Sequence, residues 1–272
     1  MLKFTWLGGP TFLLELGAFK WLADPMFGEG SAAFIMHDHP STGAPVAEIA
    51  RLAPLPPIDL RGLDGVIVSH LHSDHFDQVA TERLNKVLPV IAAPDHTDAL
   101  NARGFHQTRS LPWWHVWVSV KDGETLTITA VPARHAHTDQ LNAELGVVNG
   151  YLIDHRADGS RYRVYWTGDT VWFDNLTGIK AQAGQLDLLI PHLGAVGIDG
   201  TYGQMTLDAA EAARVADLFE ADAIIPIHHH TFSHYVEPIE VFQARLRGTP
   251  HERALHVLKE GDTLTLEASG IA

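Results

Sequence analysis

Hydrophobic and polar positions alternate in two separate blocks of the chain, and this alternation predicts β-strands. The first block contains three short segments, at 3–7, 12–16 and 19–24, which glycine-containing turns separate. The second block contains WHVWVSV at 114–120, TLTITAV at 125–131, GYLID at 150–154 and YRVYWTGD at 162–169. The pattern therefore predicts two strand-rich halves.

Helical periodicity follows both blocks. Apolar residues at i, i+3 and i+4 spacing in FDQVATERLNKVL, residues 76–88, predict an amphipathic helix, and further helices are expected from about Leu207 to Phe219 and near 238–246. Short apolar runs at 65–69, 90–93, 186–191 and 223–227 predict buried strands. We therefore predict an α/β fold in which two sheets pack face to face with helices outside.

The segment 25–62 interrupts this pattern. It is rich in glycine, proline and isolated charges, and only VAEIARLA at 46–53 has helical spacing. Because a buried strand is predicted directly after it, we interpret the segment as a surface excursion within one domain that spans residues 1–272.

Composition and charge narrow the classes of function. The formal net charge of −14 disfavours nucleic-acid binding. The absence of cysteine excludes disulfides, thiolate ligands and thiol nucleophiles, whereas 18 histidines can supply a metal site. The N-terminal stretch MLKFTWLGGPTFLLELG fits neither a signal peptide nor a spanning segment, which predicts a cytoplasmic protein without stable membrane insertion. A homo-oligomer is left open.

The stretch SHLHSDHFD, residues 69–77, concentrates ligand-type side chains behind a buried strand. His70 and His72 are two positions apart, so both can point at one ion where the strand ends. Asp74 and His75 can face a second, adjacent point if the backbone turns into the following helix. A polar loop or a satisfied core residue is the simpler interpretation of any single histidine, but the arrangement H-x-H-x-D-H favours two adjacent metal ions.

HLHSDH resembles the signature of the metallo-β-lactamase superfamily, whose fold is an αββα four-layer sandwich with metals at one edge between the sheets. The resemblance spans roughly residues 4–235 and requires three further ligands, which the chain offers as His135 in PARHAHT, Asp169 in YWTGDT and His228 in IPIHHHTF. Asp24 in WLADP is typical of a group that orients a ligand histidine. The alternatives are His137 in place of His135, an ordinary turn role for Asp169, and His229 or His230 in place of His228.

The resemblance implies that His70, His72 and His135 hold one ion, that Asp74, His75 and His228 hold the other, and that Asp169 bridges them. Nitrogen and oxygen donors suit two divalent ions, Zn²⁺ first and Mn²⁺ or Fe²⁺ as alternatives. A shared water would lose its proton near neutral pH and attack carbon or phosphorus as a bridging hydroxide. Asp74 is expected to accept a proton as well. His192, which follows a buried strand, is either a donor to a developing oxyanion or a hydrogen-bonded loop residue.

The motifs PARHAH, TGDT, GQMTLDAAEAA and IPIHHHTF are similar to those of the branch that contains N-acyl-phosphatidylethanolamine phospholipase D and the L-ascorbate-6-phosphate lactonase-like proteins. Gly9 stands where that branch usually carries a histidine. The resemblance implies a small anionic or ester substrate, either a phosphodiester or a lactone. Arg134 is a candidate anion ligand, although strand alternation turns it away from the metals. His37 and His39 are candidates for a roof over the site.

Two other functions remain as alternatives. Some superfamily members are di-iron redox proteins that reduce O₂ or NO, and these typically carry a carboxylate at the position of His72. Others are non-catalytic binding modules, in which ligands are lost. The complete ligand set of this chain favours the metal-dependent hydrolase.

Overall fold

Two β-sheets form the centre of the fold in the computed structural model, which describes residues 1–267. The first half of the chain contains β1 (Leu2–Gly8), β2 (Thr11–Leu16), β3 (Phe19–Ala23), β4 (Phe34–His37), β5 (Val46–Ile49), β6 (Gly65–Ile67), α1 (Gln78–Arg83), β7 (Val90–Ala92), α2 (Thr97–Ala102) and β8 (Thr108–Ser110). The remainder contains β9 (Val116–Lys121), β10 (Glu124–Pro132), α3 (Asp139–Leu145), β11 (Asn149–Ala157), β12 (Ser160–Trp166), α4 (Leu176–Ala183), β13 (Leu188–Ile190), α5 (Ala209–Phe219), β14 (Ala223–Ile224), α6 (Ile239–Leu246) and β15 (Thr263–Leu266). Short 3₁₀ turns lie at Pro94–His96 and Pro250–Glu252.

The core lies between the inner faces of the two sheets. One sheet has the strand order β15-β1-β2-β3-β6-β7-β8, and the other has the order β14-β13-β12-β11-β10-β9. Phe4 and Phe12 from the first sheet pack with Ile128 and Trp166 from the second, and the rings of Phe12 and Trp166 meet edge to face at 5.2 Å. The alternation seen in the sequence therefore points its apolar residues into this interface.

Helices cover both outer faces. Ala80 of α1 and Leu100 of α2 pack with Val66 on the outer side of the first sheet. On the second sheet, α4, α5 and α6 contribute a cluster that includes Ile179 and Phe242. This arrangement confirms the expected αββα four-layer sandwich.

Strand direction brings several strand ends to one edge of the sandwich. β3, β6 and β7 run parallel to one another, as do β12, β13 and β14. β10 also runs in the direction of β12, because both are antiparallel to β11. The residues that follow these strands therefore meet at the same edge, which is where sites form in such sheets.

Two helix predictions need correction. The expected helix at 46–53 is wrong, because Val46–Ile49 is a strand that pairs with Phe34–His37 in a hairpin. The hairpin buries Phe34 and Ile49 against Phe232, and this tertiary packing outweighs the helical spacing of the sequence. The helix expected at 76–88 is shorter, because Asp77 caps its start and the chain is extended again at Leu84.

None of the helices within residues 1–267 has both the length and the apolar content needed to cross a membrane.

Candidate metal centre

Three imidazoles at the sandwich edge converge on one point. His70 Nε2 lies 3.0 Å from His72 Nδ1, and His135 Nε2 lies 3.2 Å from the same atom. Two nitrogen ligands of one tetrahedral zinc ion are about 3.3 Å apart when each bond is about 2.05 Å. The spacing of these three nitrogens therefore matches that of ligands around a single ion.

A second group converges beside the first. Asp74 Oδ2 lies 3.7 Å from His75 Nε2 and 3.4 Å from His228 Nε2. Asp169 lies between the two groups, because its Oδ2 is 3.2 Å from His75 Nε2 and 3.7 Å from His135 Nε2. The structure thus brings together all seven side chains that the sequence analysis nominated as ligands.

Three of the imidazoles are oriented by hydrogen bonds at Nδ1, the ring nitrogen that points away from the centre. The hydrogen bonds join His135 to Met205 O at 2.9 Å, His228 to Leu193 O at 3.2 Å, and His75 to Asp24 Oδ2 at 2.7 Å. An Nδ1–H that donates to oxygen leaves Nε2 with a free lone pair, which is the tautomer that binds a metal.

Asp24 is the buried support of this centre. Its Oδ1 accepts the backbone N–H of Ser69 at 2.7 Å, while its Oδ2 accepts both the Ser69 hydroxyl and His75 Nδ1–H. Asp24 and His228 both have positive φ, of 36° and 61°, which is unfavourable for residues with a side chain. Such strain is typical of functional positions that the surrounding structure holds in place.

The electrostatics of the site favour bound cations. Burial lowers the pKa of His70, and burial together with His135 lowers that of His72 to about 4, so both imidazoles are neutral near pH 7. Burial disfavours a charged His75, yet Asp169 and its neighbouring carboxylates raise its pKa well above the usual value. The same field favours a metal ion at this position.

Unsatisfied buried atoms support the same conclusion. His75 Nε2 and His228 Nε2 are buried and have no hydrogen-bond partner within residues 1–267. Buried polar atoms rarely remain without a partner. Both of these nitrogens lie near the same carboxylate oxygen, Asp74 Oδ2. The donor set, its protonation and these free atoms fit two divalent ions.

His192 lies behind Asp169 and away from the open side of the centre. Trp166 Nε1–H donates to His192 Nε2 at 2.6 Å, and His192 Nδ1–H donates to Asp169 Oδ1 at 2.7 Å. Burial lowers the pKa of His192 to about 3, so the ring stays neutral. Because both ring nitrogens are occupied, the expectation that His192 donates to an oxyanion does not fit this geometry.

The alternative histidines are engaged elsewhere. His137 is 3.1 Å from Glu211, His229 packs against Trp6 at 4.8 Å, and His230 lies 3.1 Å from Glu260. Arg134 turns outward, because its guanidinium donates to His137 O and to Asp139 at 2.7 Å. His39 Nδ1 accepts backbone N–H groups of its own turn.

His234 also belongs to the centre, although its position was not predicted from the sequence. This buried residue places Nε2 3.4 Å from Asp74 Oδ2, and its Nδ1 has no hydrogen-bond partner in the described part of the chain. It follows the irregular stretch after His228 and packs against Phe34 at 5.5 Å. The only signal in the sequence is a further histidine at the end of HHHTFSH, with no periodicity that could direct it inward.

Gly9, where the related branch usually has a histidine, is a point of close packing. A Cβ atom there would lie 2.4 Å from Phe232 Cε2, and φ is +54°. Gly9 also accepts the backbone N–H of His228 at 3.0 Å and donates to Thr231 Oγ1 at 2.8 Å. Phe232 therefore occupies the space that a side chain at this position would need.

A cavity of about 550 Å³ opens onto the centre. His72, Asp74, His135, Asp169, His228 and His234 form its floor. The β4–β5 hairpin, α3 and the loop at 196–205 supply the walls, so the excursion at 25–62 contributes directly to the site. This volume is typical of a small-molecule site.

A family model described as a beta-lactamase superfamily domain matches residues 22–229. The chain belongs to the metallo-β-lactamase superfamily. The N-acyl-phosphatidylethanolamine-hydrolyzing phospholipase D 1 of Caenorhabditis elegans is 28% identical over 86% of this chain and 67% of its own length. A metal-dependent hydrolase of Pyrococcus furiosus is 26% identical over 98% of this chain and 100% of its own length.

Solved structures show the same superfamily fold. The isothiocyanate hydrolase from Delia radicum gut bacteria aligns with a TM-score of 0.82 at 21% identity, over 98% of this chain and 99% of its own. A metallo hydrolase of Ignicoccus hospitalis aligns with a TM-score of 0.67 at 21% identity, over 98% of each chain. The family model confirms the family expected from HLHSDH, and these structures confirm its fold.

Proposed function

We propose that this protein is a metal-dependent hydrolase that holds two divalent ions and cleaves an ester, a lactone or a phosphodiester. The observation that carries the proposal is the convergence of five imidazole nitrogens and two carboxylates on two adjacent points at the floor of a cavity. Superfamily membership and relatives whose names describe metal-dependent hydrolases support it.

The ligands divide into the two groups described above. His70, His72 and His135 would hold one ion, Asp74, His75 and His228 would hold the other, and Asp169 would contribute to both. Two such ions would supply a hydroxide nucleophile from water near neutral pH. Zn²⁺ suits this donor set best, with Mn²⁺ or Fe²⁺ as the alternatives.

The protein's own residues position and exchange protons. Asp74 combines the role of ligand with that of proton acceptor, because its carboxylate faces the open cavity beside His228 and His234. His192 acts as a positioning residue, because the chain from Trp166 through His192 fixes the orientation of Asp169.

The test compares initial rates on bis(p-nitrophenyl) phosphate and on an acyl-homoserine lactone, using protein loaded with Zn²⁺ or Mn²⁺. We expect turnover of at least one substrate, and a loss of about 10²-fold or more in Asp74→Ala. Asp95→Ala, which changes an exposed carboxylate outside the cavity, serves as the matched control. Absence of hydrolysis by the Zn²⁺- or Mn²⁺-loaded protein would favour the di-iron alternative. An iron-dependent optical band of the protein in air would favour it as well.

A further inference from the structure

We infer that the cavity selects an uncharged substrate with an apolar body, an aliphatic or aromatic ester or lactone, and discriminates against anions. This inference rests on the proposed hydrolytic function and specifies its substrate class. The reaction adds one water: its oxygen bonds to the carbonyl carbon, the C–O bond to the alcohol breaks, and the departing alkoxide takes up a proton.

The walls above the metal centre are apolar. They include Phe34 and Met36 from β4, Leu71 beside the ligand segment, Leu141 and Leu145 from α3, and Met205. Met36, Leu71 and both leucines of α3 are only half-buried in the free protein. An apolar ligand would cover these side chains and remove them from water, which favours its binding.

The cavity lacks cationic side chains. Within residues 1–267, no lysine or arginine lines it. Arg134, the anion ligand suggested by the sequence, donates instead to His137 O and Asp139. Recognition of a phosphate or carboxylate usually relies on such a fixed guanidinium or ammonium group.

Carboxylates at the mouth add an unfavourable field for anions. Asp38 follows β4 and Glu144 lies on α3, and both are exposed where the cavity opens. Together with Asp74 and Asp169, which line its floor, they supply four negative charges, which equal the four positive charges of two divalent ions. The cavity therefore has no net positive charge that would attract an anionic substrate.

The decisive comparison uses two substrates of equal length. Zn²⁺-loaded protein is assayed with p-nitrophenyl hexanoate and with p-nitrophenyl hydrogen adipate, which carries a carboxylate in place of the terminal methyl group. We expect kcat/KM to be about tenfold higher for the hexanoate, since each exposed carboxylate contributes up to about fivefold. The preference should decrease in 1 M salt, where charges are screened within about 3 Å.

Variants test the source of the preference. Asp38→Asn combined with Glu144→Gln should reduce the tenfold ratio to about twofold. The matched control, Asp98→Asn combined with Glu82→Gln, makes the same chemical changes at exposed positions outside the cavity and should leave the ratio unchanged. Lengthening the acyl chain from acetate to hexanoate should raise kcat/KM at least tenfold, because a buried methylene contributes up to about fourfold.

A binding measurement separates this inference from the proposed hydrolysis. Ligand-observed NMR on the Zn²⁺-loaded protein compares hexanamide with the monoamide of adipic acid, neither of which requires turnover. Preferential binding of hexanamide supports the inference even if no ester is cleaved, in which case the proposed hydrolysis fails alone. Equal or tighter binding of the anion, faster adipate ester cleavage, or rates independent of chain length would overturn the inference while leaving hydrolysis intact.

Discussion

His135 and His137 are two residues apart, yet the structure gives them different environments. His135 is buried, with Nε2 3.2 Å from His72 and Nδ1 bonded to Met205 O. His137 is 49% exposed and pairs with Glu211. This pair allows the ligand assignment to be tested with one chemical change at two positions.

We expect His135→Ala to lose one of two bound Zn²⁺ ions per chain, because the first group would keep only His70 and His72. His137→Ala should retain both ions, since its side chain lies outside the centre. Metal content after dialysis, measured by elemental analysis, decides between the outcomes. Full metal occupancy in His135→Ala would show that this residue is not a ligand.

A chain of two hydrogen bonds runs from Trp166 through His192 to Asp169. Trp166→Phe removes the first donor, and we expect a loss of about tenfold to a hundredfold in zinc affinity or in kcat. Trp113→Phe is the control, because that indole also donates to one acceptor, Val148 O, but it is exposed and has no hydrogen bond to His192 or Asp169 within residues 1–267. Equal effects in the two variants would contradict a positioning role for His192.

Gly9 packs against the loop that carries His228. Gly9→Ala should lower the free energy of unfolding by about 3 kcal/mol, because the methyl group meets Phe232 and φ is positive. Gly123→Ala has the same backbone problem at φ +83° but open space around it, so about 1 kcal/mol is expected. Urea unfolding measures both, and a similar cost at the two positions would exclude a steric role for Phe232.

The segments that carry the proposed ligands have the same local structure, because in each a buried strand ends shortly before a polar residue. β6 precedes His70, β10 precedes His135, and β12 precedes Asp169. This regularity made the ligands recognisable in the sequence, because apolar runs identify such strands and the polar residues after them are unusual.

The β4–β5 hairpin and His234 could not be found in the same way. VAEIARLA has helical spacing, but Ile49 packs in a cluster with Phe34 and Phe232. Both residues lie outside this segment of the sequence, so its local pattern could not predict the contacts. His234 reaches Asp74 only because the backbone after His228 leaves regular structure, with positive φ at His228 and His230. Periodicity carries no information about such turns.

The start of α5 offers a test of how its N-cap contributes to stability. Asp208 accepts the backbone N–H of Glu211 at 2.7 Å, so Asp208→Ala should cost about 1 kcal/mol. Asp208→Asn should retain nearly full stability, since asparagine caps equally well. Thermal unfolding compares the two, and equal losses would indicate that the charge matters more than the cap.

In the molecule as a whole, the candidate metal centre draws its residues from both sheets. His70 and His75 follow a strand of the first sheet, whereas His135, Asp169 and His228 follow strands of the second. Ions bound between them would therefore connect two halves of the sandwich that otherwise meet through apolar packing, and ligand binding to the native state stabilises it.

Removal of the ions should consequently lower Tm by about 10 °C, as expected when about 4 kcal/mol of binding energy is lost in a domain of this size. Added Zn²⁺ should restore Tm, whereas Mg²⁺ should not, because it prefers oxygen ligands. Differential scanning calorimetry before and after chelation measures the change. An unchanged Tm would mean that the centre is empty in the purified protein or does not couple the sheets.

The β4–β5 hairpin contributes walls to the cavity but none of the proposed ligands. It is anchored through Phe34 and Ile49, while Met36 and Asp38 face the cavity. Its tip could thus be exchanged for that of a relative without disturbing the chemistry beneath it. Substitutions in this hairpin, whether in evolution or in protein engineering, can accordingly change substrate preference while the metal ligands stay the same.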